Sequence, residues 1–104
     1  MEELSDLARL AAMDLKRLVI ARAIRDLTEI QQVTDATSLG HRYKLELQYW
    51  HARRYVLSDG FAIDCELAGL SLAKGKANIE ALLAAGDRIL LASPRNQGGA
   101  YAIN

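Results

Sequence analysis

The hydrophobic pattern of residues 3–35 predicts one long helix. No Gly or Pro interrupts this segment, strong helix formers dominate it, and Ser5-Asp6 offers an N-terminal cap. At 100° per residue, its large apolar side chains fall on two nearly opposite faces. The first face holds Leu4, Leu7, Ala11, Leu15 and Leu18, and the second holds Ile20, Ala23, Ile24, Leu27 and Ile30.

A helix with two apolar faces needs two partners, or it needs a break between Leu18 and Arg22. An unbroken helix of this length would measure roughly 45 Å, which exceeds the width of a globule of this size. We therefore expect one half to dock on a second copy of the chain and form a homodimer. A kinked helix or helical hairpin within a monomer remains the alternative. The residues expected at the oligomerisation surface are Leu4, Leu7, Leu15, Leu18, Ile24 and Leu27.

Residues 43–57 follow a connection rich in helix breakers and show a two-residue alternation. Tyr43, Leu45, Leu47 and Tyr49 alternate with polar residues, which favours a strand. Residues 55–57 are short and β-prone, and residues 58–60 predict either a tight turn or a helix start capped by Asp59. Two interpretations of the next segment follow: a third strand over residues 61–67, or a short helix over residues 59–68.

The last third of the chain predicts a helix followed by a hairpin. The helix is expected over residues 72–85, with Ser71 as its cap and Gly86 as its end. Residues 88–92 and 101–103 are expected to be strands on either side of a polar tip.

The expected fold class is therefore α+β, in a single domain of residues 1–104. It comprises an N-terminal helical oligomerisation region, residues 3–35, and an α+β module, residues 41–103. The alternative order is a helix, an antiparallel β-meander, a helix and a β-hairpin.

Residues 59–103 resemble a winged helix-turn-helix domain. The turn contains Gly69, Leu70 and Ser71, the small residue Cys65 lies four positions before the glycine, and residues 82–86 are similar to the end of the second helix in that family. In this arrangement Gly69 takes the left-handed turn, Leu70 fills the angle between two helices, and Ser71 caps the helix that faces the major groove.

This resemblance implies double-stranded DNA as a partner. Lys74 and Asn78 would project near the start of the second helix, and the hairpin tip could reach phosphates or the minor groove. The residues expected to contact nucleic acid are Ser71, Lys74, Asn78, Arg95, Asn96, Gln97, Arg53 and Arg54. The last two belong to a basic and aromatic block suited to stacking on bases or to a protein interface, together with Tyr43, Tyr49, Trp50, Tyr55, Arg42, Lys44 and His51.

Composition limits the other functions. Thirteen basic and thirteen acidic residues give no net charge, so any attraction to a polyanion is local. The chain is too short for the large α/β enzyme folds, and no apolar run approaches the roughly 18 residues of a membrane span. Its single cysteine cannot form an intrachain disulfide, which favours a reducing, cytoplasmic location.

No catalytic or metal-binding motif is complete. Residues 69–73 lack the final glycine of a nucleophile elbow, and residues 69–77 lack the spacing of a phosphate-binding loop. His41, His51 and Cys65 are spaced 10 and 14 residues apart, which matches no compact set of metal ligands. We therefore expect no enzyme activity, no metal and no cofactor.

The function expected from the sequence is that of a small DNA-binding regulator of bacterial or phage type that dimerises through its N-terminal helix. The alternative is a protein-interaction or assembly component, such as a phage virion joining protein or a host-inhibiting protein.

Overall fold

The chain forms a helical bundle in the computed structural model, which describes the backbone of residues 2–92 and the side chains of residues 6–92. Within that range the elements are α1 (Glu2–Glu29), a short 3-10 helix (Ile30–Gln32), α2 (Leu39–Val56), α3 (Asp59–Leu67) and α4 (Leu72–Leu91). These residues contain no β-strand. The predicted α+β class and its meander alternative are therefore wrong. The resemblance to a winged helix-turn-helix domain fails as well, because a wing is a β-hairpin.

Helix α1 is continuous through the segment where a break was the alternative. Its second apolar face is buried in the bundle, where Ile20, Ala23 and Leu27 contribute to the core together with Ile30 of the 3-10 helix. No described residue covers its first face, since Leu7, Leu15 and Leu18 are 63%, 63% and 66% exposed. The molecule is accordingly elongated, with extents of 61 × 25 × 24 Å.

Helix α2 occupies the segment that was expected to form two strands. Its buried apolar residues follow a helical spacing, namely Leu45, Tyr49, Ala52 and Val56. Tyr43, Leu47 and Trp50 lie on the other side of the helix and are exposed. The two-residue alternation arose because both faces of α2 carry large apolar side chains. Ser38 caps the helix by accepting a hydrogen bond from the His41 N–H.

Residues 59–67 are helical, so the second interpretation of this segment is correct. Ser58 rather than Asp59 is the cap residue, and its hydroxyl accepts from the Phe61 N–H. Helix α3 ends in a Schellman motif: Gly69 has φ +72°, its N–H donates to the Glu66 carbonyl, and the Leu70 N–H donates to the Cys65 carbonyl.

The turn between α3 and α4 only partly matches its prediction. Gly69 is left-handed, and the Ser71 hydroxyl accepts from the Lys74 N–H to cap α4, both as predicted. Leu70, in contrast, is 43% exposed. The prediction that it is buried in the angle between the two helices is wrong.

Helix α4 continues through Gly86, where it was predicted to end, and runs to Leu91. Residues 88–91, predicted to begin a strand, are its last turn. Gly86 is buried, and a Cβ built on it would overlap the ring of Tyr49 in α2. The glycine therefore permits a close approach of α4 to α2. The strand predicted over residues 101–103 lies outside the described residues.

Candidate interaction surfaces

The first candidate surface is the exposed apolar face of α1, which we call the N-terminal stripe and define as Leu7, Ala11, Leu15 and Leu18. All four side chains are exposed. Leu4 continues the same face in the sequence, but its side chain lies outside the described part. The other two residues predicted for oligomerisation are placed elsewhere: Leu27 is fully buried in the core, and Ile24 is partly buried against it.

Contacts on the opposite face of α1 hold the stripe away from the bundle. The Lys16 ammonium lies 3.0 Å from Asp64 Oδ1 in α3. One residue later, Arg17 Nε donates a 2.9 Å hydrogen bond to the carbonyl of Ala68, at the end of α3. These two contacts fix the rotation of α1 about its axis. The N-terminal stripe therefore points away from α3.

Asp64 is the centre of this attachment. The Tyr55 hydroxyl donates a hydrogen bond to Oδ2 of its carboxylate, whereas Lys16 lies next to Oδ1. The hydrogen bonds from Tyr55 and then from Lys16 outweigh burial and lower the pKa of Asp64 below its usual range. Burial and the neighbouring Asp64 raise the pKa of Tyr55. The three side chains therefore link α1, α2 and α3 with Asp64 ionised and Tyr55 neutral.

The second candidate surface lies on α2. We call it the aromatic face, and it consists of Leu39, Tyr43, Leu47 and Trp50, which share the side of the helix that turns away from the core. Arg54 is exposed one turn further along. The guanidinium of Arg53 lies 5.6 Å from the centre of the Trp50 ring, within the range of a cation–π contact.

The residues of the basic and aromatic block do not share one surface: some are exposed to solvent and others face the core or α4. Arg53, one of the residues predicted to contact nucleic acid, is held by Asp87 of α4, with Nε 3.0 Å from Oδ1 and Nη2 3.3 Å from Oδ2. Tyr49 is fully buried, and its hydroxyl donates to the same carboxylate at 2.7 Å.

This cluster joins α2 to α4. Burial and the hydrogen bond to Asp87 raise the pKa of Tyr49. Burial alone would raise the pKa of Asp87, but the hydrogen bonds from Arg53 and Tyr49 outweigh it and lower that pKa. The carboxylate is thus ionised and accepts three hydrogen bonds from its two partners, so it links α2 to α4 as a structural network.

The third candidate surface is the helix-turn-helix formed by α3 and α4. Lys74 and Asn78 are exposed near the start of α4, as are Ala73, Ala77 and Glu80. Ser71, also predicted to contact DNA, uses its hydroxyl to cap α4. Arg95, Asn96 and Gln97 lie outside the described residues. Two hydrogen-bonding side chains of the predicted DNA surface, Lys74 and Asn78, thus share one exposed region.

Within residues 6–92, no three His, Cys, Asp or Glu side chains are grouped so that they could hold a metal ion. His41 and His51 are exposed on α2, whereas Cys65 is buried. Burial raises the pKa of the Cys65 thiol, and a protonated thiol is a poor nucleophile. No helix in the described range combines the length and the apolar character needed to cross a membrane.

Comparison with known proteins gives no relative: no protein-family model, curated protein or solved structure matches the chain. The three surfaces described above are therefore the basis for any functional assignment.

Proposed function

We propose that the chain is a non-enzymatic interaction protein that forms a homodimer through the N-terminal stripe. One observation supports this proposal most directly. Helix α1 is continuous, one of its faces is buried in the bundle, and the other exposes three leucines by more than 60% each. Burying a leucine side chain contributes about 1.5–3 kcal/mol, so covering the stripe is strongly favourable. Pairing with the same stripe of a second copy covers both at once.

An antiparallel arrangement of the two helices fits the charges around the stripe. The sequence has Glu2, Glu3 and Asp6 before the stripe and Arg22 directly after it, whereas the next basic residue, Arg25, is ion-paired with Glu29. Antiparallel pairing brings the acidic start of one stripe next to Arg22 of the other, whereas parallel pairing sets like charges together. The arrangement has two-fold symmetry and leaves the two bundles at opposite ends.

The aromatic face of α2 is the proposed site for a protein partner. Trp, Tyr and Arg are the residue types that dominate the energetics of protein interfaces, and this face presents Trp50, Tyr43 and the adjacent Arg54. A dimer that pairs through α1 leaves both copies of this face exposed. We place the protein in the cytoplasm as a component of a bacterial or phage assembly, a location supported by its single, buried Cys65.

Disulfide trapping tests the pairing and its direction. In the antiparallel dimer Leu7 of one chain lies near Leu18 of the other. Two copies of Leu7 are separated by on the order of 16 Å along the helix axis. A mixture of Leu7→Cys and Leu18→Cys chains should therefore form an intermolecular disulfide, and neither chain alone should do so. Leu39→Cys is the control, an exposed leucine on α2.

The results separate the possibilities. Disulfides within each single-variant sample, with no disulfide between a Leu7→Cys chain and a Leu18→Cys chain in the mixture, would show parallel pairing. No disulfide in any sample would contradict pairing through the stripe.

Binding of duplex DNA through α3 and α4 is a second candidate function. It is favoured by the helical state of residues 59–67, by the left-handed Gly69, and by the exposed Lys74 and Asn78 at the start of α4. A two-fold dimer would present two such helix-turn-helix units to DNA.

A further inference from the structure

A groove of about 330 Å³ lies between α1, α3 and α4. Its walls are almost entirely apolar and are formed by Ile20, Ile24, Phe61, Leu70, Ile79 and Leu82. Ser71, Lys74 and Asn78 add polar groups on the α4 side. Pockets for small ligands have this character: an apolar body with a few polar groups that fix orientation. The volume is at the lower end of the range of about 300–1,000 Å³ for such pockets.

Gly75 keeps the α4 wall of this groove open. Glycine in a helix interior is less favourable than alanine, so a glycine there needs a reason. At Gly86 the reason is the ring of Tyr49, which leaves no space for a side chain. Gly75, in contrast, lines the groove, and a Cβ built on it meets no atom within 4 Å. No packing contact in the described structure requires glycine at this position, but any larger side chain would project into the groove.

Lys74 gives the groove a charge preference. Its side chain is exposed and lines the groove next to Gly75. No acidic side chain among residues 6–92 forms an ion pair with it. Asn78 follows one turn later and offers an amide N–H on the same side. An anionic group at the edge of the groove would therefore meet a cation and a hydrogen-bond donor.

We propose that this groove binds a small amphipathic anion, specifically a single-chain carboxylate of medium length. The hydrocarbon chain lies between Ile20 and Ile24 on one side and Phe61, Ile79 and Leu82 on the other. The carboxylate lies beside Lys74 and Asn78. This inference does not depend on dimerisation, because the N-terminal stripe is on the opposite face of α1.

Titration calorimetry of the full chain with hexanoate, octanoate and decanoate, each below its micelle concentration, tests the proposal. Each added methylene should tighten binding about fourfold, the value expected for burying one CH₂ group, until the groove is full. Decylammonium, which has the same chain length and the opposite charge, should bind at least tenfold more weakly than decanoate. Absence of decanoate binding would overturn the proposal, and so would equal affinity for the two ions.

Two variants locate the site. Gly75→Leu fills the groove and should abolish decanoate binding. Gly40→Leu is the matched control, because Gly40 is also helical, a Cβ there also meets nothing within 4 Å, and the residue does not line the groove.

Lys74→Gln should weaken decanoate binding several-fold and reduce the preference for decanoate over decylammonium. Because Lys74 is exposed, we expect this variant to fold even if Gly75→Leu does not. Unchanged decanoate affinity in both Gly75→Leu and Lys74→Gln would place the ligand elsewhere and overturn the proposal.

Discussion

The ring of Tyr49 occupies the space that a side chain at Gly86 would require, so α2 and α4 pack tightly at a point where one residue is aromatic and the other has no side chain. The approach also brings the Tyr49 hydroxyl within 2.7 Å of Asp87, the residue after the glycine. The packing and the hydrogen bond therefore depend on each other.

Two helical glycines of α4 should respond oppositely to alanine. Gly86→Ala forces the Tyr49 ring to move and disturbs its hydrogen bond, which should lower the free energy of unfolding by about 1–3 kcal/mol. Gly75→Ala adds a methyl group in open space and should raise that free energy by roughly 0.5–1 kcal/mol. Urea unfolding of the two variants measures both effects. Similar values for both would contradict the packing described for Gly86.

The residues predicted for oligomerisation should divide into two classes. Leu27 is fully buried within one chain, so Leu27→Ala should cost about 2–5 kcal/mol of unfolding free energy. Leu15 is exposed in the monomer, and Leu15→Ala should change that free energy by less than about 0.5 kcal/mol. The comparison is made by urea unfolding at a protein concentration where the chain is monomeric. A large loss for Leu15→Ala would show that the stripe packs within the monomer.

Stability should depend on pH through Asp87. Its hydrogen bonds from Arg53 and Tyr49 lower its pKa in the folded state, so the folded state binds a proton less readily than the unfolded state. This contribution is complete above the unfolded value of about 3.9 and is lost as the pH falls through the lower folded pKa.

Asp87→Asn should therefore lower the unfolding free energy more at pH 7 than at pH 2, as measured by urea unfolding at the two values. Asp35→Asn, at an exposed turn position, is the control and should have little effect at either pH. An equal loss at both values for Asp87→Asn would contradict a stabilising charge on Asp87.

If the second candidate function holds, duplex DNA should bind through the start of α4. Lys74→Ala combined with Arg95→Ala should weaken this binding. The logarithm of affinity should decrease with the logarithm of salt concentration, with a slope that corresponds to only a few phosphates. Fluorescence anisotropy with labelled duplex DNA at several salt concentrations measures both quantities. No binding of any duplex at low salt would eliminate this function.

Local signals predicted α1, the helix over residues 59–67 as one of two options, and the turn at Gly69 and Ser71. Each of these features is fixed by neighbours in the sequence: capping hydroxyls, a glycine with positive φ, and an uninterrupted run of helix formers. The two opposite apolar faces of α1 also identified the exposed stripe. They did not show that Ile24 and Leu27 belong to the core.

The errors came from apolar side chains on both faces of α2 and from contacts between distant parts of the chain. Helix α2 was mistaken for strands because its outward face carries Tyr43 and Leu47 beside the inward Leu45 and Tyr49. Gly86 has the usual signature of a helix end, and only its contact with Tyr49 explains a glycine inside α4. Likewise, nothing near Arg53 in the sequence indicates that Asp87 holds it. The groove could not be predicted from the sequence, because Gly75 and Lys74 line it only once α1 packs opposite α4.

Sedimentation equilibrium of the intact chain, over concentrations from low to high micromolar, measures its association through the N-terminal stripe. We expect the mass of a dimer at high concentration. We also expect Leu15→Glu to reduce this mass to the 11.5 kDa of one chain, with the helical circular dichroism unchanged. Leu39→Glu, at an equally exposed leucine at the start of α2 where an acidic side chain is well tolerated, should remain dimeric. A monomer at all concentrations for the unmodified chain, or a dimer that survives Leu15→Glu, would contradict association through the N-terminal stripe.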